Sequence, residues 1–348
     1  MPRVVGVDPG TISIDVCGLD AGRLYLDRSI PTADALADPA AFVSLLRGES
    51  PPDLIAGPSG YGLPLVSAAA ATDEDLRLAF LAAPGEEGGI GGLRRLAQVL
   101  ARSGLPVVYT PGVIHLDTVP PHRKVNRVDL GTADKVAAAA LGIATQVERL
   151  GCPPGDTAFI LLELGGAFTA ALAVRNGQVV DGLGGTSGPL GWRSAGGWDG
   201  EVAYLAGAVT KDLLFGGGAR FVAERPGDRS EVALAAFVES AVKAVRALLV
   251  ATPAPREILL SGRALEEPGV EDRLRAELAP LAPLRRLQGF ARVAKTPAQG
   301  AAILADGLAG GRWAPLVETM RIRAAGGTAL DHLVVISPAV ARRRLGLG

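Results

Sequence analysis

Val4-Val5-Gly6-Val7-Asp8-Pro9-Gly10-Thr11 is the stretch that decides how this chain is read. An apolar run delivers a carboxylate into a turn, and a second apolar run, Ile12 to Leu19, follows at once. Gly22 marks a further turn before a third predicted strand, Arg23 to Asp27. Gly10 lets the backbone approach a phosphate closely, and the exposed N–H groups of such a turn can point at its oxygens. Asp8 does not bind phosphate directly, because both are negative. Its natural partner is a divalent cation that bridges to the phosphates. The same local pattern also suits a plain hairpin in which Asp8 caps its own turn.

Working outward, the pattern returns in the second half. Gly151-Cys152-Pro153-Pro154-Gly155-Asp156 reads as a boundary. Beyond it Ala158 to Leu162 is an apolar strand that ends in Glu163-Leu164-Gly165-Gly166-Ala167-Phe168-Thr169. A strand over Ala170 to Val174, an Asn176-Gly177 turn and a strand over Gln178 to Asp181 follow. Each half therefore opens with strand, acid-and-glycine turn, strand, tight turn, strand. A duplicated α/β fold, with the two turns facing each other across a cleft, accounts for this better than two unrelated hairpins. The expected divisions are 1–150, 151–310 and a C-terminal tail, 311–348.

The intervening segments fill out each half. Helices are predicted over Pro39–Arg47, from Asp73 to Ala82, over Leu93–Ser103 and over Ala133–Leu150. Gly85 to Gly92 reads as a mobile break, and Gly57 to Pro64 as a pocket wall or a surface turn. Asp134, in the first turn of the fourth helix, suits the helix dipole whether or not it has a chemical role. The glycine-rich run Gly182–Gly197 is too long for a mere connector and carries the cation Arg193 beside Trp192. Helices are expected over about 199–214, 230–251, 270–279 and Pro297–Leu308, with a strand at Ile258-Leu259-Leu260 opening into Ser261-Gly262-Arg263. The tail holds one apolar piece, Leu330 to Ile336.

Composition narrows the function classes. With 348 residues, 48% hydrophobic, the chain is long enough for two cored domains. A net charge of −1 and the lack of a basic patch give no reason to expect nucleic acid as a partner. Two cysteines and three histidines are too few and too scattered for a disulfide framework or a soft-ligand metal centre. No secretory signal or membrane-length apolar run is present, so a cytoplasmic protein without a membrane partner is expected.

Taken in order and spacing, these motifs resemble the acetate and sugar kinase, Hsp70 and actin superfamily. The first phosphate motif is matched at Val5–Thr11, the second at Leu162–Thr169 and the adenosine motif at Leu259–Leu265. The resemblance implies two duplicated ribonuclease-H-like, actin-like ATPase lobes around a nucleotide cleft, with ATP and Mg²⁺ as cofactors. Gly188-Pro189 and Arg193-Ser194-Ala195-Gly196 are similar to a loop of the butyrate and acetate kinases. Thr132-Ala133-Asp134-Lys135 resembles type III pantothenate kinases, where an Asp at this helix start acts near the acceptor. The whole chain is most similar to a family of predicted butyrate kinases. It departs from the pattern in Glu163, where many members have Asp, and in Asp8, where acetate kinases carry Asn.

The resemblance then implies ATP-dependent phosphoryl transfer to a small acceptor, a short-chain carboxylate first of all. Asp8 would organise Mg²⁺. Gly10 and Thr11 would bind phosphate from one lobe, and Gly165, Gly166 and Thr169 from the other. Ser261, Gly262 and Arg263 would border adenosine. Arg127 or Arg193 would hold the acceptor or stabilise the transferring group. Asp134 would be a general base for a hydroxyl acceptor and an orienting group for a carboxylate. The lobes are expected to close on ATP, and a homodimer is carried over from carboxylate kinases. The rival expectation is an ATP-binding switch protein of the same fold that uses no small acceptor.

Overall fold

The computed structural model describes residues 1–10, 12–85 and 90–348. By its contacts the chain forms two units. One comprises Met1–Val128, Thr132–Gly155 and Gln288–Gly348, and the other Asp129–Gly131 and Asp156–Leu287.

In the first unit, β1 (Arg3–Pro9), β2 (Ser13–Asp20) and β3 (Arg23–Pro31) form an antiparallel meander. β4 (Leu54–Ala56), β5 (Val66–Ser67) and β6 (Val107–Tyr109) complete a sheet of order β3-β2-β1-β4-β6-β5, in which β4 runs parallel to both β1 and β6. Strand alternation sorts the two faces. Val5, Val7, Ile14 and Val16 enter a core with Phe42, Leu46, Leu96, Leu100 and Tyr109. Gly6 and Asp8 lie on the other face, where the helix Thr296–Leu308 covers β1. A Cβ on Gly6 would stand 2.2 Å from the Ala302 nitrogen, so only glycine lets strand and helix meet.

The same helix packs on the helix Ala133–Leu150, whose alanine-rich face permits close approach. At that contact a Cβ on Gly300 would fall 1.8 Å from the Ala137 carbonyl oxygen. The predicted helix starts hold locally. Asp38 accepts a hydrogen bond from the Ala41 N–H, with Pro39 in the first turn of Pro39–Arg47. Thr72 and Asp75 form a capping box on Asp73–Phe80. The helix expected over Leu93–Ser103 spans Ile90–Arg102, because Gly92 fits against Leu36 and lets the helix extend back through it. The rest of the predicted mobile break, 86–89, lies outside the described residues.

The second unit repeats the plan. β7 (Ala158–Leu164), β8 (Thr169–Arg175) and β9 (Gln178–Leu183) form the meander, and β10 (Glu257–Ser261) and β11 (Leu284–Arg286) add in parallel. Their order, β11-β10-β7-β8-β9, is the order β3-β2-β1-β4-β6 read from the opposite edge. Asn176 and Gly177, with φ of 53° and 70°, make the left-handed pair of a tight hairpin. The helix Ser230–Leu248 buries Phe237, Val238, Ala241 and Val245 against Ile160, Leu162, Ile258 and Leu260.

One expectation needs correction. The single helix expected over 199–214 is two short ones, Gly200–Ala206 and Lys211–Leu214, broken at Gly207 with φ 69°. The apolar piece Leu330 to Ile336 forms no strand, and Val334 and Val335 are exposed, their N–H groups donating to the Asn126 side chain. Among the described residues no helix is long and apolar enough to cross a membrane, and both cysteines are free.

Candidate active site

The first unit gathers three carboxylates and two lysines at the end of β1. Asp8 is buried at the strand's mouth and stands directly opposite Asp15 across the β1–β2 hairpin. Asp134 comes from the first turn of Ala133–Leu150. That helix start is set by the loop after β4, where the Gly60 carbonyl accepts from the Ala133 N–H at 3.1 Å. The expected pocket wall, Gly57–Pro64, is thus internal support here. Ser59 in it is buried and accepts from the Thr110 N–H at 2.8 Å.

The charges in this cluster are unequal. Burial, and next the Asp134 charge, push the Asp8 carboxyl up to about 7, against the pull of Lys295 and Lys135. Asp134 moves the other way. Burial opposes its ionisation, but the Lys135 ammonium and hydrogen bonds from Lys135 and Thr132 outweigh that and hold its pKa below the ordinary value. Lys135 Nζ reaches Asp134 at 2.7 Å. Thr132 holds the N-cap position, but its hydroxyl makes no backbone cap and donates to Asp134 instead. The pair therefore keeps a fixed anion at Asp134 and a raised carboxyl at Asp8 whose ionisation added positive charge nearby would favour.

A divalent cation fits this pair. It would offset the burial and the Asp134 charge that together raise the Asp8 carboxyl. Among the described residues no group of three or more His, Cys, Asp or Glu could hold a metal. A cation here would therefore take its remaining ligands from water and phosphate, the usual habit of Mg²⁺. Gly10 closes the turn above Asp8, its N–H donating to the Asp8 carbonyl at 3.2 Å. A Cβ there would stand 2.5 Å from the Ser13 carbonyl oxygen. Thr11 lies outside the described residues. Arg127 is exposed, following the short helix Pro121–Lys124, and its N–H donates to the Lys124 carbonyl.

In the second unit the turn Gly165–Thr169 joins β7 to β8. Gly166 has open space where a Cβ would be, whereas the Thr169 hydroxyl oxygen is buried with no hydrogen-bond partner among the described residues. The glycine-rich run folds back on this turn. The Arg193 and Ser194 N–H groups both donate to the Ala167 carbonyl, at 3.0 and 3.1 Å. Arg193 is thereby brought to the turn that holds Gly165, Gly166 and Thr169, with its side chain exposed. At the end of β10, Ser261 is buried and Arg263 exposed. A Cβ on Gly262 would fall 2.2 Å from the Leu164 carbonyl oxygen, which gives this glycine a packing role of its own.

A family model described as a protein of unknown function, DUF1464, matches residues 6–335. The chain belongs to the DUF1464 family. No curated protein matches it. Among solved structures, the DUF1464 chain is similar to an acetate kinase from Entamoeba histolytica, at TM-score 0.58 and 12% identity over 80% of this chain and 87% of that one. A propionate kinase from Francisella tularensis subsp. tularensis SCHU S4 also gives 0.58, at 15% identity over 86% and 99%. An acetate kinase from Porphyromonas gingivalis gives 0.53, at 16% identity over 81% and 88%. The fold of this DUF1464 chain is thus the two-lobe, actin-like ATPase fold expected from the duplicated motifs.

Sequence reasoning missed four residues. Lys295 and Asp15 make an ion pair at 2.6 Å in the first unit, and Asp27 grips the loop that carries Lys295. In the second unit Asp129 is buried and accepts from the Gly131 N–H at 3.0 Å and from the Thr186 N–H and hydroxyl at 2.9 Å. The available signal was an acid inside an apolar strand, as at Asp15, and one of only five lysines placed just before a helix, as at Lys295.

Proposed function

We propose that the chain is an ATP-dependent phosphotransferase for a small acceptor, with a short-chain carboxylate, butyrate-like, as the acceptor. The observation that carries this reading is the buried Asp8–Asp134 pair at the Gly10 turn, in a fold shared with acetate and propionate kinases. Phosphoryl transfer needs positioning and charge neutralisation more than covalent chemistry. Asp8 and Asp134 would hold a divalent cation, which when bound neutralises phosphate charge. Gly10 and Thr11 are assigned to phosphate in the first unit, and Gly165, Gly166 and Thr169 in the second. Ser261, Gly262 and Arg263 are assigned to adenosine. An exposed arginine, Arg193 or Arg127, is assigned to the acceptor carboxylate or the transferring group, where a guanidinium binds two oxygens at once.

In the transfer, an acceptor oxygen attacks the γ-phosphorus and the bond to the bridging oxygen of ADP breaks. A carboxylate acceptor arrives deprotonated, so Asp134 orients and does not take a proton. The hydrogen bonds that hold Asp134 ionised also suit it to accept a proton from a hydroxyl, which is the competing role.

The test is incubation with Mg-ATP and a panel of short carboxylates, with hydroxylamine to trap acyl phosphates and ADP release as the readout. Pantothenate and simple sugars run in parallel. Carboxylate-dependent ADP with trapped hydroxamate supports the proposal. Hydroxyl-dependent ADP without hydroxamate moves the acceptor class and makes Asp134 the base. Nucleotide binding with no acceptor dependence assigns the chain to ATP-binding switch proteins.

A further inference from the structure

Lys295 is positioned more firmly than a surface lysine requires. It is the last residue before the helix Thr296–Leu308. The three residues ahead of it are held by one carboxylate. The N–H groups of Arg292, Val293 and Ala294 donate to Asp27 of β3 at 2.9, 3.1 and 2.6 Å. Partial burial opposes ionisation of Asp27, but these three donors outweigh it and lower its pKa. The loop is thus fixed on an ionised acid.

From this loop the Lys295 side chain reaches over the β1–β2 turn. Its Nζ donates to Ser13 Oγ and to Asp15 Oδ2, both at 2.6 Å. Ser13 Oγ in turn donates to Asp15 Oδ2 at 3.0 Å. The Nζ atom stands 3.6 Å from where a Cβ on Gly10 would be. An ammonium has three N–H donors, and these contacts use two. The side chain is 46% exposed, which leaves the third donor open to solvent.

Charge neutralisation of Asp15 does not explain this arrangement. Asp15 is fully buried, and among the described residues its Oδ1 has no hydrogen-bond partner. A buried ion pair is commonly no better for stability than an apolar pair of the same size. The acid is worth its place if it aims the lysine. Asp8, Asp15 and Asp134 outnumber Lys135 and Lys295, and Lys135 is engaged by Asp134.

We propose that Lys295 binds a phosphate of the nucleotide at the Gly10 turn, with Asp15 and Ser13 aiming its ammonium and Asp27 fixing its loop. This rests on the ATP-dependent reading and adds to it a contact from the far end of the chain. Lys295 is a binding residue in this scheme, and Asp15 and Asp27 are positioning residues.

Calorimetric titration of ATP, ADP and adenosine into wild type and variants tests the proposal. Lys295→Gln should weaken ATP by about ten- to a hundredfold, the usual worth of a hydrogen bond to a charged group, and leave adenosine unchanged. Lys295→Arg should restore most of the affinity. Because Lys295→Gln strands a buried carboxylate, the double variant Asp15→Asn with Lys295→Gln provides a folded control. It should show the same selective loss of ATP. Equal weakening of ATP and adenosine, or unchanged ATP affinity in the folded double variant, would overturn the assignment and leave the phosphotransferase reading intact. A wild-type protein that binds neither ATP nor ADP would overturn both.

Discussion

Replacing Gly300 by alanine tests the packing that sets the first unit's site. The added methyl would stand 1.8 Å from the Ala137 carbonyl oxygen and 2.4 Å from its carbon. Ordinary contact begins at 3.4 Å, so the two helices must part by 3.4 − 1.8 = 1.6 Å or distort. The obstacle is backbone, which has no rotamer to yield. Intrinsic helix propensity favours alanine by about 1 kcal/mol. Overpacking against a fixed neighbour costs about 3 kcal/mol at the upper end of its usual range. The net expectation is a loss of ~2 kcal/mol in urea unfolding at 25 °C. Gly200→Ala is the control. Its Cβ meets nothing within 4 Å, so it should gain up to about 1 kcal/mol. Asp134 and Lys295 sit at the starts of the two helices forced apart, so ATP affinity should fall in Gly300→Ala and not in Gly200→Ala. A Gly300→Ala protein as stable as wild type would refute the contact.

Other perturbations follow from the same physics. The Asp8 carboxyl, raised to about 7 from an ordinary 3.8, destabilises the fold progressively as pH rises between those values, so Asp8→Asn should stabilise the ligand-free protein more at pH 8 than at pH 4 in parallel denaturant titrations, while abolishing Mg²⁺-dependent nucleotide binding. His115 is buried, and burial pushes its pKa down to about 4. The unfolded chain takes up the proton first, so stability present above pH 6.5 is lost as pH falls toward 4, by ~2 kcal/mol at pH 5. His115→Gln should flatten that slope in denaturation curves measured from pH 7 to 5. Asp129→Ala removes the two carboxylate oxygens that accept from three donors in the second unit and should cost about 2–3 kcal/mol, with faster proteolysis within 182–197 as the second readout.

The duplicated meander was legible because it is written locally. Alternating apolar residues, a glycine turn and Asn176-Gly177 fix strand, turn and strand without help from distant parts of the chain. The Asp38 cap and the Thr72–Asp75 box are likewise within a few residues of each other. What escaped was written over long separations. Lys295 meets Asp15 and Ser13 only after the chain returns, and no spacing rule links those positions. The break at Gly207 lies between two helix-favouring alanines, Ala206 and Ala208, with the cap of the next helix, Thr210, only three residues on. Thr132 carried the pattern of a cap, but a neighbouring carboxylate competed for its hydroxyl more strongly than the backbone did.

The make-up of the first unit has a consequence for synthesis on the ribosome. β1 emerges long before the helix that covers its Gly6 and Asp8 face, Thr296–Leu308. Until that helix is made, one side of the opening sheet has no cover from its own unit. Residues 156–287 are nearly all of the second unit and are continuous, so they can collapse while the first unit waits. The order of maturation is therefore the reverse of the order of translation. Within its unit the nascent β1 hairpin has the longest exposure to aggregation, and a holding chaperone matters most there.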